Sequence, residues 1–275
     1  MRIGVVIPLA ADVEGCIRPM RELGFTSGQL TVWDMSLYTP EMAKKIEKAC
    51  RDFNFTVTAL WCGWSGPVVW KYPDMYDTLG LVPDYLRERR LFDLMAGARF
   101  AKELNIRDVV THIGFFPDNP FDSRHVQIVQ CLRLLGNELN KSGQRFLFET
   151  GEELPVTLVQ LIEEIGTGNM GVNFDPANLM MNGRANPVDA MDLLSPYLMG
   201  FHGKDGRYPM GKEPKGKELP LGKGQVDYPA LLKKVKALHY EGDITIEREI
   251  PSGPERDQDL VSGKQYLEAL WNEVS

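Results

Sequence analysis

Short runs of β-branched and other apolar residues recur along the chain. Between them lie longer stretches whose apolar positions return every three or four residues. The short runs fall at 3–9, 29–33, 56–61, 108–113, 146–149, 171–175, 198–202 and 244–247. They are mostly continuous rather than alternating, as expected of parallel strands buried on both faces. Helical spacing predicts helices over 40–53, 86–104, 123–141, 155–165, 189–194, 228–238 and 263–271. Pro40 suits the first turn of one of them. In another, Val126, Val129, Leu132 and Leu135 mark one apolar face. Strand alternating with helix, with no evident linker, predicts an α/β protein built as one (β/α)8 TIM barrel over residues 1–275. An open doubly wound sheet is the other arrangement this pattern allows.

Two connections are too long for tight turns: 62–84, rich in Gly, Pro, Trp and Tyr, and 203–226, rich in Gly and Lys. Both follow strands, so in a barrel both belong to the C-terminal rim, where active sites form. Loops of this length in a compact domain are usually lids or binding loops.

Composition narrows the functional classes. With 275 residues, 43% of them hydrophobic and 25% charged, the chain has the make-up of a globular protein with a full core. A formal charge of −7 argues against a nucleic-acid partner, which needs a basic face. No apolar run approaches the length of a membrane span, and the N-terminus lacks the pattern of a signal peptide. Cys16, Cys50, Cys62 and Cys131 are scattered without a Cys-x-x-Cys pair. They are expected to be reduced, in a cytoplasmic protein. Gly211 to Glu218 nearly spells a phosphate-binding loop, but Glu218 stands where Ser or Thr must reach magnesium. No Gly-x-Ser-x-Gly elbow supplies a hydrolase nucleophile.

Four polar residues end strands that are otherwise apolar: Glu149, Asp175, His202 and Glu247. In a barrel these are the ends of strands five to eight, and they converge at one rim. An uncompensated carboxylate at the end of a buried strand is costly. Three carboxylates and an imidazole together repel unless a cation holds them, and a hard divalent ion accepts such a set. One divalent metal per chain is therefore expected, with Mn2+ first and Mg2+, Co2+ or Zn2+ as alternatives.

At these residues the sequence resembles a family. Phe148-Glu149-Thr150, Asn173-Phe174-Asp175-Pro176-Ala177-Asn178, His202-Gly203-Lys204-Asp205 and Ile246-Glu247-Arg248-Glu249 look like signatures of the xylose-isomerase-like barrels, the sugar phosphate isomerase/epimerase superfamily. The resemblance implies a metal tetrad of Glu149, Asp175, His202 and Glu247, with Glu149 and Glu247 also exchanging protons with substrate. It implies a metal-dependent isomerase or epimerase that removes a proton next to a carbonyl through an enediolate. An inosose-dehydratase-type lyase on the same site, or an endonuclease-like phosphodiesterase, is the alternative. Two positions depart from the epimerase pattern. Asn178 stands where those epimerases carry a histidine, and Arg207 only approximates their substrate-binding arginine. A small sugar or sugar derivative is the implied partner, with homo-oligomerisation left open.

Other substrate contacts are weaker expectations. His112 ends strand four and would reach a substrate hydroxyl, and Lys204 adjoins the proposed metal histidine. Trp61 and Trp64 would wall a sugar's apolar face, or else pack the core. The loop lysines Lys212, Lys215, Lys217 and Lys223 would attract an anionic sugar, or form a solvated charged loop.

Overall fold

The computed structural model describes residues 1–274. Eight parallel strands close into a barrel: β1 (Ile3–Pro8), β2 (Ser27–Val32), β3 (Thr56–Cys62), β4 (Asp108–Thr111), β5 (Arg145–Glu149), β6 (Met170–Phe174), β7 (Leu198–Gly203) and, last, β10 (Ile244–Ile246). Closure is made by β10 pairing with β1, with Ile3 opposite Ile244 and Val5 opposite Ile246. A short antiparallel pair, β8 (Asp205–Arg207) and β9 (Lys217–Leu219), rises from the rim after β7. The closed ring removes the open-sheet alternative, because no strand keeps an unpaired edge.

Side chains alternate between two cores. Phe146 and Phe148 join the large outer cluster with Leu132, Leu135 and Leu158 from the surrounding helices. Leu147, between them, points the other way and packs with Ala59, Trp61 and Val110 inside the barrel. Residues two apart on a strand share a face. Each inward residue therefore has its successor one layer higher: Val110 leads to His112, Leu147 to Glu149, and Gln29 to Thr31. The upper layer, with Thr31, His112 and Glu149, opens at the C-terminal rim.

The helices are α1 (Val13–Glu22), α2 (Pro40–Asp52), α3 (Met75–Thr78), α4 (Asp84–Glu103), α5 (Ser123–Asn140), α6 (Pro155–Ile165), α7 (Pro176–Met181), α8 (Pro187–Leu194), α9 (Tyr228–Ala237) and α10 (Pro254–Glu273). Three of them differ from the sequence expectation. α1 forms despite Gly15 and Pro19, because Asp12 caps it and Val13, Ile17 and Met20 bury one face. α7 has no polar face to betray it: all six of its residues are buried. α10 begins at Pro254, nine residues earlier than expected at Gly263. Its first half is charged, yet Arg256, Leu260, Gly263 and Leu267 form a single buried stripe. The loop expected at 203–226 contains the β8–β9 pair, and that at 62–84 contains α3.

Gly80 ties the 63–83 loop to the end of β4. Its φ is +64°, and a Cβ there would lie 2.0 Å from the carbonyl carbon of Ile113. Glycine alone permits both that backbone conformation and that approach.

Candidate functional site

Glu149, Asp175, His202 and Glu247 meet at the rim, where one ligand atom from each lies within 4.8 Å of all the others. His202 Nδ1 sits at their centre, 3.4 Å from Glu149 Oε1, 3.6 Å from Asp175 Oδ2 and 3.5 Å from Glu247 Oε2. Strand geometry explains the convergence. Glu149 ends β5, and Asp175 follows β6 as the N-cap of α7, where its Oδ1 accepts the amide of Asn178 at 2.8 Å. Its Oδ2 is left facing the site without a hydrogen-bond partner, as is His202 Nδ1.

Gln29 on β2 decides which imidazole nitrogen faces the cluster. Its Oε1 lies 2.8 Å from His202 Nε2 and accepts that N–H. Nδ1 is thereby left to present its lone pair, or a second proton, to the three carboxylates. Burial disfavours a charged His202, but Glu149 and Glu247 outweigh it and raise its pKa well above the usual value. The site thus demands positive charge at this point. A divalent cation would meet the same demand, and it would also satisfy the two orphaned buried atoms. The residues present fit such an ion.

Glu149 is held from three sides. Trp61 Nε1 donates to its Oε2, Asn178 Nδ2 donates to Oε1 at 3.1 Å, and His112 Nε2 lies 3.2 Å from Oε1. Burial alone would raise the Glu149 pKa, yet His112 and His202 hold it well below the ordinary carboxylate value. Glu247 is likewise pulled down against burial, to about 2, chiefly by Lys204, whose Nζ lies 2.8 Å from Oε2. Both glutamates are therefore ionised at neutral pH and able to accept a proton. Burial raises the Asp175 pKa, and Lys204 opposes it.

Beside this cluster lies a cavity of about 500 Å3, lined by Glu149, Glu247, His112 and Asn178 on one side and by Trp33, Trp61 and Trp70 as an aromatic wall. Trp33 and Trp61 are 5.1 Å apart between centroids, and Trp70 stands edge-on to His112 at 5.4 Å. Trp64 packs behind Trp33 and is buried. Lys204, two residues beyond His202, binds Glu247 and also Glu249, the latter at 2.7 Å. Arg207 is placed elsewhere: β8 carries it to a two-pronged pairing with Glu213 at 2.7 and 3.0 Å, and it does not line the cavity.

Several residues that belong here lie outside the set that the strand-end pattern singles out. Gln29, a lone amide within a buried strand, was a legible signal. So was the run Glu149-Thr150-Gly151-Glu152-Glu153 just beyond β5. Glu152 Oε2 lies 2.9 Å from His112 Nδ1. Burial opposes charge on His112, but Glu152 and Glu149 raise its pKa well above the usual value. Trp33 and Trp70 carried no signal beyond their residue type.

A family model described as xylose isomerase-like TIM barrel matches residues 17–270. The chain belongs to the xylose isomerase-like TIM barrel family. It is similar to a solved xylose isomerase domain protein from Planctomyces limnophilus: 29% identity, TM-score 0.92, with 99% of this chain and 98% of that one covered. A D-tagatose 3-epimerase-like protein shares the fold at 18% identity and TM-score 0.78, covering 100% and 98%. A further xylose isomerase-like barrel, from Mycobacterium smegmatis and in complex with magnesium, does so at 17% identity and TM-score 0.69, covering 95% and 89%. Among curated proteins, an uncharacterised protein of Methanocaldococcus jannaschii is 24% identical over 189 residues, 64% of this chain and 61% of that protein. The chain thus spans about three fifths of that relative. No described helix is long and apolar enough to cross a membrane.

Proposed function

We propose that this protein is a divalent-metal-dependent sugar isomerase or epimerase that moves a proton on a carbon next to a carbonyl. The observation that carries the reading is the placement of two ionised glutamates, Glu149 and Glu247, around the single point marked by His202 Nδ1, at the edge of a cavity with an aromatic wall. Kinship with a D-tagatose 3-epimerase-like fold supports it. Glu149, Asp175, His202 and Glu247 would hold the ion. When bound, it would supply Lewis-acid stabilisation of negative charge on the substrate's oxygens.

The chain's own residues supply the rest. Glu149 and Glu247 come from β5 and from the end of β10, so they approach the cavity from different sides. One removes the proton and the other returns it, to the opposite face for epimerisation or to the neighbouring carbon for isomerisation. Trp61 and Asn178 hold the Glu149 carboxylate in one orientation. His112, with one ring nitrogen on Glu149 and the other on Glu152, fixes the Glu149 carboxylate beside the cavity wall. Trp33, Trp61 and Trp70 offer apolar faces to a sugar's C–H surface and exclude water.

The test is isotope exchange. Keto sugars incubated with the manganese-supplemented protein in heavy water should gain deuterium next to the carbonyl. Glu149→Gln and Glu247→Gln should each slow this by roughly 10²–10⁴-fold. Undiminished exchange in both variants would remove these carboxylates from the chemistry.

A further inference from the structure

Carboxylates and cations both line the cavity, but not every cation has an ion-pair partner. Four carboxylates line it, and each is already engaged: Glu149 and Glu152 by His112, Glu247 and Glu249 by Lys204. Of the three arginines and lysines that line it, Arg248 is spent on Glu218 at 3.0 Å and Asp259 at 2.8 Å. Lys215 and Arg256 remain, and neither has a carboxylate of the described residues within ion-pair distance.

Arg256 is the more telling of the two. It lies in the first turn of α10 and is only 7% exposed. Nε donates to the carbonyl of Arg248 at 3.3 Å and Nη2 to that of Val6 at 3.1 Å, which pins the group between the ends of β10 and β1. Nη1 has no protein acceptor among these contacts. Burial lowers its pKa from the usual arginine value, and the carboxylates of Asp257, Glu247 and Glu218 offset only part of this. Nη1 is not one of the buried atoms left without a partner, so this edge is open to solvent or ligand in the cavity that Arg256 lines. Lys215 enters the cavity from the 208–216 turn of the β8–β9 pair, its Nζ 5.7 Å from the Trp70 ring centroid. Both cations line the same cavity as the glutamates, Arg256 held by backbone carbonyls and Lys215 reaching in from the hairpin turn.

Building on the isomerase reading, we infer that the substrate carries an anionic group, carboxylate or phosphate, which Arg256 and Lys215 bind while the reacting carbons lie at Glu149 and Glu247. A planar guanidinium with a free N–H edge suits either oxyanion, and a flexible ammonium can close over it.

Tryptophan fluorescence reads binding directly, because Trp33, Trp61 and Trp70 line the cavity. Manganese-supplemented protein would be titrated with D-fructose, D-fructose 6-phosphate, D-glucuronate and inorganic phosphate, at low and at high salt. At least one anionic sugar should bind about 10–100-fold more tightly than D-fructose, the range expected for charged hydrogen bonds. High salt should erode that margin. Arg256→Gln and Lys215→Gln should each shrink the margin while leaving D-fructose binding unchanged. Arg256→Gln also removes contacts to the carbonyls of Val6 and Arg248, so Lys215→Gln, in the turn of the β8–β9 pair, carries the test if the first variant fails to fold. Preference for the phosphate or for the uronate identifies which anion the site takes. Equal binding of neutral and anionic sugars, binding of none of them, or a margin untouched in Lys215→Gln overturns the inference. Manganese affinity measured on the same samples separates the two readings: intact metal binding without anion preference defeats this inference alone.

Discussion

Gln29 Oε1 accepts the Nε2–H of His202 at 2.8 Å, across the barrel from β2 to β7. That one bond turns the other imidazole nitrogen, Nδ1, toward three carboxylates. Fixed in this orientation, the ring completes with the three carboxylates a set that could hold a metal ion. Gln29→Leu keeps the volume and removes the acceptor. Divalent-ion affinity measured by calorimetry should weaken by roughly 10–100-fold, the usual cost of losing a partner behind a metal-binding histidine. Unchanged affinity would show that Gln29 does not orient the ring.

Metal removal should destabilise the protein. Asp175 Oδ2 and His202 Nδ1 are buried without partners, and an ion that binds the folded state alone stabilises it by mass action. At a free concentration of 100 times Kd this amounts to about 2.7 kcal/mol. Chelator should therefore lower the melting temperature, and added Mn2+ should restore it. In Asp175→Ala/His202→Ala the melting temperature should no longer respond to either. A wild-type melting temperature indifferent to chelator and Mn2+ would contradict the metal site.

Trp61→Phe keeps the aromatic wall but deletes the N–H that Glu149 Oε2 accepts. With Asn178 and His112 still holding Oε1, the carboxylate stays in place but is less firmly aimed. Turnover should fall by roughly 10-fold, the effect of one charged hydrogen bond, with KM changed much less. A rise in KM alone would assign Trp61 to packing against substrate instead.

Glu153 is 2% exposed, and neither carboxyl oxygen has a partner. Burial, reinforced by Glu152, pushes its pKa up to about 8 from 4.5. The folded state therefore keeps a proton that the unfolded chain gives up near pH 4.5. This contribution to stability is complete below that pH and is lost progressively as pH rises toward 8. Glu153→Gln mimics the protonated form at every pH. It should leave the melting temperature near pH 4.5 almost unchanged and raise it by roughly 2–4 °C or more at pH 8. A shift independent of pH would mean that Glu153 is already ionised when folded.

The barrel was legible in the sequence because both of its signals are local. Continuous apolar runs mark strands covered on both faces, and a polar residue closing such a run marks the rim. Phe146-Leu147-Phe148-Glu149 and Ile244-Thr245-Ile246-Glu247 carry that message without reference to any other part of the chain. α7 was hidden because a fully buried helix has no periodicity, and the first half of α10 because its buried stripe runs through charged residues. Which distant side chains meet was not legible at all. Gln29 finds His202, Trp61 finds Glu149 and Arg256 finds the Val6 carbonyl only through ring closure and strand register. Arg207 is near His202 in sequence, yet the β8–β9 pair takes it to Glu213. Sequence determined which residues end the strands, because hydrophobic patterning is a property of each segment by itself. The shape, charge balance and orientation of the cavity were decided by tertiary structure, because they depend on distances between segments that no local pattern encodes.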